Sequence, residues 1–130
     1  MKWIVLLILI DAVVSDALAD YLRDKGEKGL SHFFEAISVL SLLVVAFLTP
    51  YFVESPLDFF MYVFLMYCVQ RLFLFDIVYN IANTNVPINY IGTTAWSDRL
   101  LRKIKMHPSW WLWTRLIIWF AYTFGVMLNY

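Results

Sequence analysis

Four long apolar stretches dominate this chain of 130 residues, and they cover residues 3–22, 32–53, 56–83 and 109–129. Each has about the 20 residues that a helix needs to cross roughly 30 Å of hydrocarbon. Because lipid offers the backbone no hydrogen-bond partners, we expect these stretches to be helices, and the alternation typical of a membrane barrel is missing. The pattern predicts a single transmembrane helical domain over residues 1–130, an all-α integral membrane four-helix bundle.

The composition supports a membrane environment and excludes other classes of protein. Hydrophobic residues make up 62% of the chain, charged residues 15% and aromatic residues 19%. So small a domain cannot hide that much apolar surface from water, which excludes a soluble domain. The single cysteine, Cys68, excludes an internal disulfide. Ten basic residues balance ten acidic ones, so bulk charge does not indicate a nucleic-acid partner.

Signals for helix ends agree with the proposed boundaries. Gly26 and Gly29 are expected to end the first helix, and Ser31 is expected to cap the second. The stretch 55–58, Ser-Pro-Leu-Asp, has the pattern of a capping box with proline at the first helical position. We therefore expect the second and third helices to form a tight hairpin.

Basic residues in the loops predict the orientation in the membrane. They occur in the first and third loops, as Arg23, Lys25 and Lys28, and as Arg99, Arg102, Lys103 and Lys105. Such loops face the cytoplasm in multi-pass proteins, so both termini are expected outside.

The first apolar stretch allows two alternatives. It contains Asp11, Asp16 and Asp20, and charge at the centre of a membrane helix is costly. The rival topology makes this stretch an interfacial helix and leaves three spans. Lys2 followed by an apolar run also has the form of a signal peptide, but the first two aspartates interrupt the run, so we expect it to be retained.

An amphipathic interfacial helix is predicted between spans three and four, at residues 94–106. Trp96, Leu100 and Ile104 share one face of it, and basic residues occupy the other. It is expected to lie at the inner interface of the lipid bilayer and to attract anionic lipid headgroups through its basic side chains, Arg99, Arg102, Lys103 and Lys105. The preceding residues, 90–94, offer backbone N–H groups for a phosphate.

Ionisable and amide side chains recur inside the apolar stretches, most of them at a similar inner depth and Asp11 near the middle, counted at ~1.5 Å per residue from the loops. The set comprises Asp11, Asp16, Asp20, His32, Glu35, Arg71, Asp76, Asn80 and Arg115. Charges in a membrane need partners, so we expect a polar cluster near the cytoplasmic face, with carboxylates on the two arginines. This reading favours a structural or interaction component, with a homo-oligomer or another membrane protein as partner.

Two further functions remain open because the carboxylates outnumber the arginines. One is a divalent metal site formed by Asp16, Asp20, His32, Glu35 and Asp76, as in a metal-dependent hydrolase or transferase acting on a phosphate or ester at the inner leaflet. The other is proton or cation conduction along the aspartates and Glu35.

Overall fold

A computed structural model describes residues 2–51, 53–91 and 96–129. These residues form helices joined by turns, so the all-α prediction is confirmed. We number the helices α1 (Lys2–Asp24), α2 (Lys28–Leu48), α3 (Pro56–Ala82), α4 (Trp96–Lys103) and α5 (Pro108–Asn129). A 3₁₀ turn, Thr49–Tyr51, continues α2.

Three of the described helices are long and apolar enough to cross a membrane, namely Lys28–Tyr51, Pro56–Ala82 and Pro108–Leu128. Most of their surface is exposed, as expected for side chains that face lipid. Helix α1 has 23 residues but is not among the three, because charged side chains, including Asp11, Asp16 and Asp20, recur along it. The chain is therefore compatible with a membrane location.

The turn between α1 and α2 is fixed by Gly26, which has a φ of 83°. Its N–H donates to Arg23 O at 3.0 Å, and the Glu27 N–H donates to Leu22 O at 2.9 Å. This is a Schellman motif, in which only glycine adopts the left-handed conformation without strain. The prediction that Gly26 ends the first helix is confirmed.

Helix α2 begins earlier than the sequence suggests. It starts at Lys28, so the predictions that Gly29 ends α1 and that Ser31 caps α2 are wrong. Both residues lie inside α2, and the Ser31 hydroxyl donates to Ala19 O at 2.9 Å. A serine that bonds a neighbouring helix resembles a capping serine in sequence, which explains the error.

Helix α3 begins with the expected capping box. Ser55 Oγ accepts from the Asp58 N–H at 3.1 Å, and the Ser55 N–H donates back to Asp58 Oδ2 at 3.1 Å, with Pro56 at the first helical position. Two segments further along are π-helical rather than α-helical, Phe60–Leu65 and Arg71–Phe75. The sequence gives no sign of either segment.

Helix α1 lies between α2 and α3, and α5 packs on the other side of α3. All four long helices contribute to one buried core, which contains Val5, Leu6, Leu9, Val45, Tyr62, Met66 and Val126. Where α1 meets α2, the buried side chains are small, with Ser31, Ser38 and Ser41 on α2 and Ala12 on α1. Small residues allow two helix backbones to approach closely.

Candidate functional site

Three aspartates form a stripe along α1, with Asp16, Asp20 and Asp24 at every fourth residue. We call them the aspartate stripe. Asp16 and Asp24 accept hydrogen bonds from side chains of α3, and Asp20 accepts one from another side chain of α1. That α1 side chain also donates to a carboxylate of α2. The candidate site consists of these three side chains and the residues that bond to them.

Arg71 joins the stripe to α3. Its Nη1 donates to Asp16 Oδ2, and the side chains of the arginine and the aspartate are 44% and 29% exposed. The same nitrogen lies 3.4 Å from Tyr67 Oη, and the guanidinium carbon lies 4.5 Å from the centroid of the Phe75 ring. These aromatic residues precede and follow Arg71 by four residues, so they hold the guanidinium along the face of α3.

Arg23 links the stripe to the start of α2. Its Nη1 donates to Asp20 Oδ1 at 3.0 Å, and its Nη2 donates to Glu35 Oε1. His32 Nδ1 lies 2.9 Å from Glu35 Oε2. These four side chains are between 37% and 74% exposed, so each contact contributes only about 0–1 kcal/mol in a hydrated setting. The network positions side chains more than it stabilises the fold.

The last aspartate of the stripe bonds to α3 through a tyrosine. The Tyr79 hydroxyl donates to Asp24 Oδ2, and the rings of Tyr79 and Tyr21 meet edge to face with centroids 6.1 Å apart. Sequence reasoning misses Asp24 because it lies beyond the apolar stretch 3–22. Its spacing of four residues from Asp20 is the signal that could have found it.

These contacts fix the relative directions of the helices. The pairs Asp16 with Arg71 and Asp24 with Tyr79 advance along both helices together, so α1 and α3 run parallel. Helix α2 returns in the opposite direction after the turn. The end of α1, the start of α2 and the end of α3 therefore lie at one end of the molecule, where most of the charged contacts gather.

A second ion pair joins α3 to α5. Arg115 is 1% exposed, and its Nη1 donates to Asp76 Oδ2 at 2.5 Å and, more weakly, to Leu72 O at 3.4 Å. The guanidinium lies 5.2 Å from the centroid of the Trp111 ring. Within the described residues, Nε and Nη2 of this arginine have no hydrogen-bond partner. Because this pair faces α5 and Arg71 faces α1, the two ion pairs that α3 makes are separate from each other.

A neutral polar cluster, missed by the sequence reasoning, lies between α3 and α5. Gln70 is fully buried; its Oε1 accepts from Trp119 Nε1 at 2.6 Å, and its Nε2 donates to Thr123 Oγ1 at 3.2 Å. The Trp119 ring also stacks on Phe73 at 5.2 Å. A lone glutamine in an apolar run is the signal that could have found it, because such side chains bond between membrane helices.

Asn80 binds a loop rather than the charged residues. Its Nδ2 donates to Ile88 O at 3.0 Å and to Tyr90 O at 3.1 Å, which folds the loop after α3 back onto that helix. Arg102 of α4 continues this anchoring, since its Nη2 donates to Ile91 O at 2.7 Å. The expected polar-cluster role of Asn80 is therefore corrected to a loop anchor.

Helix α4 ends at Lys103, three residues before the end of the predicted range 94–106. Residues 92–95, which include most of the proposed phosphate-binding stretch, lie outside the described residues. Leu101 is buried, whereas Leu100 and Ile104 are 45% and 58% exposed. The four basic residues expected to meet headgroups are exposed beside them, Arg99, Arg102, Lys103 and Lys105.

Asp11 lies apart from the stripe, nearer the other end of α1. Its Oδ2 accepts from Ser41 Oγ of α2 at 2.6 Å, and the side chain is exposed. Ser41 is its single hydrogen-bond donor among the residues that the structure describes.

The five residues expected to bind a metal are not assembled into a site. In the described part of the chain, no three His, Cys, Asp or Glu side chains are placed to hold a metal ion. Each carboxylate instead meets a cation: Asp16 meets Arg71, Asp20 and Glu35 meet Arg23, with His32 beside Glu35, and Asp76 meets Arg115. Proton or cation conduction along the aspartates and Glu35 stays a prediction.

No family model, curated protein or solved structure matches this chain.

Proposed function

We propose that the chain is a small multi-pass membrane protein that crosses the bilayer four times and serves as a structural or interaction component of that membrane. Both termini lie outside, and the basic first and third loops lie in the cytoplasm. The charged contacts around the aspartate stripe form a polar cluster near the cytoplasmic face, where they hold α1, α2 and α3 in register.

The observation that carries this proposal is the burial of α1, the most charged of the long helices. It contributes Val5, Leu6 and Leu9 to the core, and Ala12 and Val13 are fully buried. A helix lying on the membrane surface would expose one face to water, whereas this helix is packed between two candidate spans. Asp11, Asp16 and Asp24 have hydrogen-bond donors on the adjacent helices, and Asp20 has one on α1, Arg23, which lowers the cost of placing these carboxylates in a membrane.

Helix α4 supports the proposed orientation. Leu100 in this helix and Ile104 just after it are exposed and suit the acyl region, and the exposed basic residues beside them suit anionic headgroups of the cytoplasmic leaflet. Leu101 is buried, so this face of the helix packs against the rest of the protein.

Cysteine accessibility tests the four-span topology. In a Cys68→Ser background, single cysteines are placed ahead of Met1 or by Lys25→Cys, Glu54→Cys and Lys103→Cys. A membrane-impermeant maleimide is applied to intact cells and to inverted vesicles of a bacterial expression host. We expect the N-terminal cysteine and residue 54 to react from outside, and residues 25 and 103 from inside. An N-terminal cysteine that reacts from the same side as residue 25 would establish the three-span topology instead.

Association is tested separately by crosslinking in membranes, followed by native gel electrophoresis after mild solubilisation. An interaction component is expected to migrate as a complex larger than the 15.4 kDa chain with its detergent. A single monomeric species under both conditions would remove the interaction role and leave only the membrane topology.

A further inference from the structure

Asp11 lies near the middle of the membrane in the proposed topology, on which this inference rests. It follows Lys2 by nine residues, which is about 14 Å along a helix and about half the thickness of the hydrocarbon region. At that depth an exposed carboxylate has no water to solvate it, so it needs a partner.

The surface around Asp11 is an apolar groove between α1 and α2, with a volume of about 420 Å³. Each helix lines it with residues spaced at i, i+3, i+4 and i+7, which share one helical face. The apolar lining consists of Ile4, Leu7 and Ile8 from α1, and of Ile37, Leu40 and Val44 from α2. Asp11 and Ser41 complete the two faces, so the groove extends for about two turns and contains one hydrogen-bonded acid.

We infer that this groove docks a transmembrane helix of a different protein, and that this helix carries a lysine or arginine that pairs with Asp11. The apolar lining matches the side chains of a membrane helix, and anchors at i, i+3, i+4 and i+7 are typical of a helix that binds in a groove. Ser41 donates one hydrogen bond to Asp11 but carries no charge, and no cationic side chain among the described residues forms an ion pair with this carboxyl group.

Charge complementarity decides among the possible occupants. A lipid acyl chain fills the apolar part but offers nothing to the carboxylate. A second copy of this chain placed groove to groove would bring two Asp11 side chains together, which repel each other. The arginines within the candidate spans, Arg71 and Arg115, already pair with Asp16 and Asp76. A cationic helix from another protein satisfies both the shape and the charge.

Synthetic transmembrane helices test the inference. The full-length protein, with a donor dye at Glu54→Cys in a Cys68→Ser background, is reconstituted in phosphatidylcholine vesicles. Acceptor-labelled polyleucine helices of about 20 residues, with uncharged ends, carry Lys, Leu or Asp at the centre. Energy transfer as a function of helix density gives the affinity of each. We expect the Lys helix to bind about tenfold more tightly than the Leu helix, and the Asp helix to bind no better than the Leu helix.

Matched substitutions on α1 provide the control. Asp11→Asn should reduce the preference for Lys over Leu to about twofold or less, whereas Asp20→Asn should leave it unchanged. Asp20 is nine residues further on, which is two and a half turns and the opposite face of the helix. Circular dichroism of both variants checks that they fold.

Equal binding of the Lys and Leu helices to the unsubstituted protein would overturn the inference, as would a preference that survives Asp11→Asn. A separate bimane label at Leu7→Cys reports depth. If mid-chain brominated lipid quenches the bimane fluorescence, α1 is inserted in the bilayer. A missing preference for the Lys helix would then refute the inference and leave the proposed topology intact. Quenching by aqueous iodide instead would refute the proposed topology and the inference with it.

Discussion

Replacing Gln70 with leucine tests how much a buried amide contributes between membrane helices. The side chain is completely buried and uses both ends of its amide, with one bond from Trp119 and one to Thr123. Leucine has a similar volume and no polar atoms, so Gln70→Leu removes both bonds and leaves the backbone of α3 unchanged.

The magnitude follows from the two bonds. Hydrogen bonds between membrane helices contribute about 0.6 kcal/mol on average and up to roughly 1.7 kcal/mol, because the unfolded chain in the membrane finds other partners. The bond from Trp119 is short at 2.6 Å, and that to Thr123 is 3.2 Å. We expect Gln70→Leu to lower the free energy of unfolding by about 1–3 kcal/mol, with the larger share from the tryptophan.

The assay is reversible unfolding in mixed micelles, with increasing mole fraction of sodium dodecyl sulfate and with helicity as the signal. A double-mutant cycle with Trp119→Phe isolates the shorter bond, since phenylalanine keeps an aromatic ring for Phe73 but has no N–H donor. We expect a coupling free energy of about 0.6–1.7 kcal/mol. Trp110→Phe is the control, because Trp110 lies on the same helix and is 72% exposed.

Two results would refute the reasoning. A coupling free energy near zero would mean that the amide and the indole do not interact in the folded protein. An equally large coupling between Gln70→Leu and Trp110→Phe would mean that the effect comes from helix α5 as a whole rather than from the hydrogen bond.

Three smaller predictions use the same unfolding assay or hydrogen exchange. Asp16→Asn or Arg71→Gln alone should lower the free energy of unfolding by roughly 0.5–1 kcal/mol, because the pair is partly exposed, and the double variant should lose less than the sum of the two. Strictly additive losses would contradict the ion pair. Gly26→Ala should destabilise the folded protein by about 1 kcal/mol, because Gly26 has a positive φ. Gly29→Ala should stabilise it by about 0.5–1 kcal/mol, because Gly29 lies in the first turn of α2. Equal effects of the two substitutions would be inconsistent with the turn. Lys105→Gly should slow amide exchange in α4, since Lys105 has a φ of 55°, and faster exchange would show that this conformation is not strained.

The positions of the helices could largely be predicted from the sequence, because helix length and end signals are local. The apolar stretch 56–83 matches α3 to within one residue, and the Ser55 capping box and the Gly26 turn need only neighbouring residues. The start of α2 could not be found this way. Ser31 has the residue type of a cap, and only the position of α1 shows that its hydroxyl binds another helix.

The pairing of the charged residues is less predictable, since it depends on how each helix is rotated about its axis. Depth along the helices correctly suggests that Arg71 and Arg115 meet carboxylates, but it does not show that one faces α1 and the other α5. The π-helical segments add to the difficulty, because each changes the angle between side chains on either side of it. Their carbonyls also bond to α5, as Tyr122 donates to Met61 O and Arg115 to Leu72 O.

The central place of α1 has a consequence for biosynthesis. Asp16 and its counter-ion Arg71 are separated by 55 residues. At a translation rate of ~5–20 residues per second, the arginine is made about 3–11 seconds after the aspartate. During that interval α1 lacks Arg71, the cation that pairs with Asp16, and also lacks the surface of α3 that packs against it. Releasing α1 into lipid at that stage would cost free energy, because its charged side chain would have no partner. In the proposed four-span topology, stable integration of α1 therefore waits for α3, and a nascent chain cut off after α2 would be expected to remain with the insertion machinery.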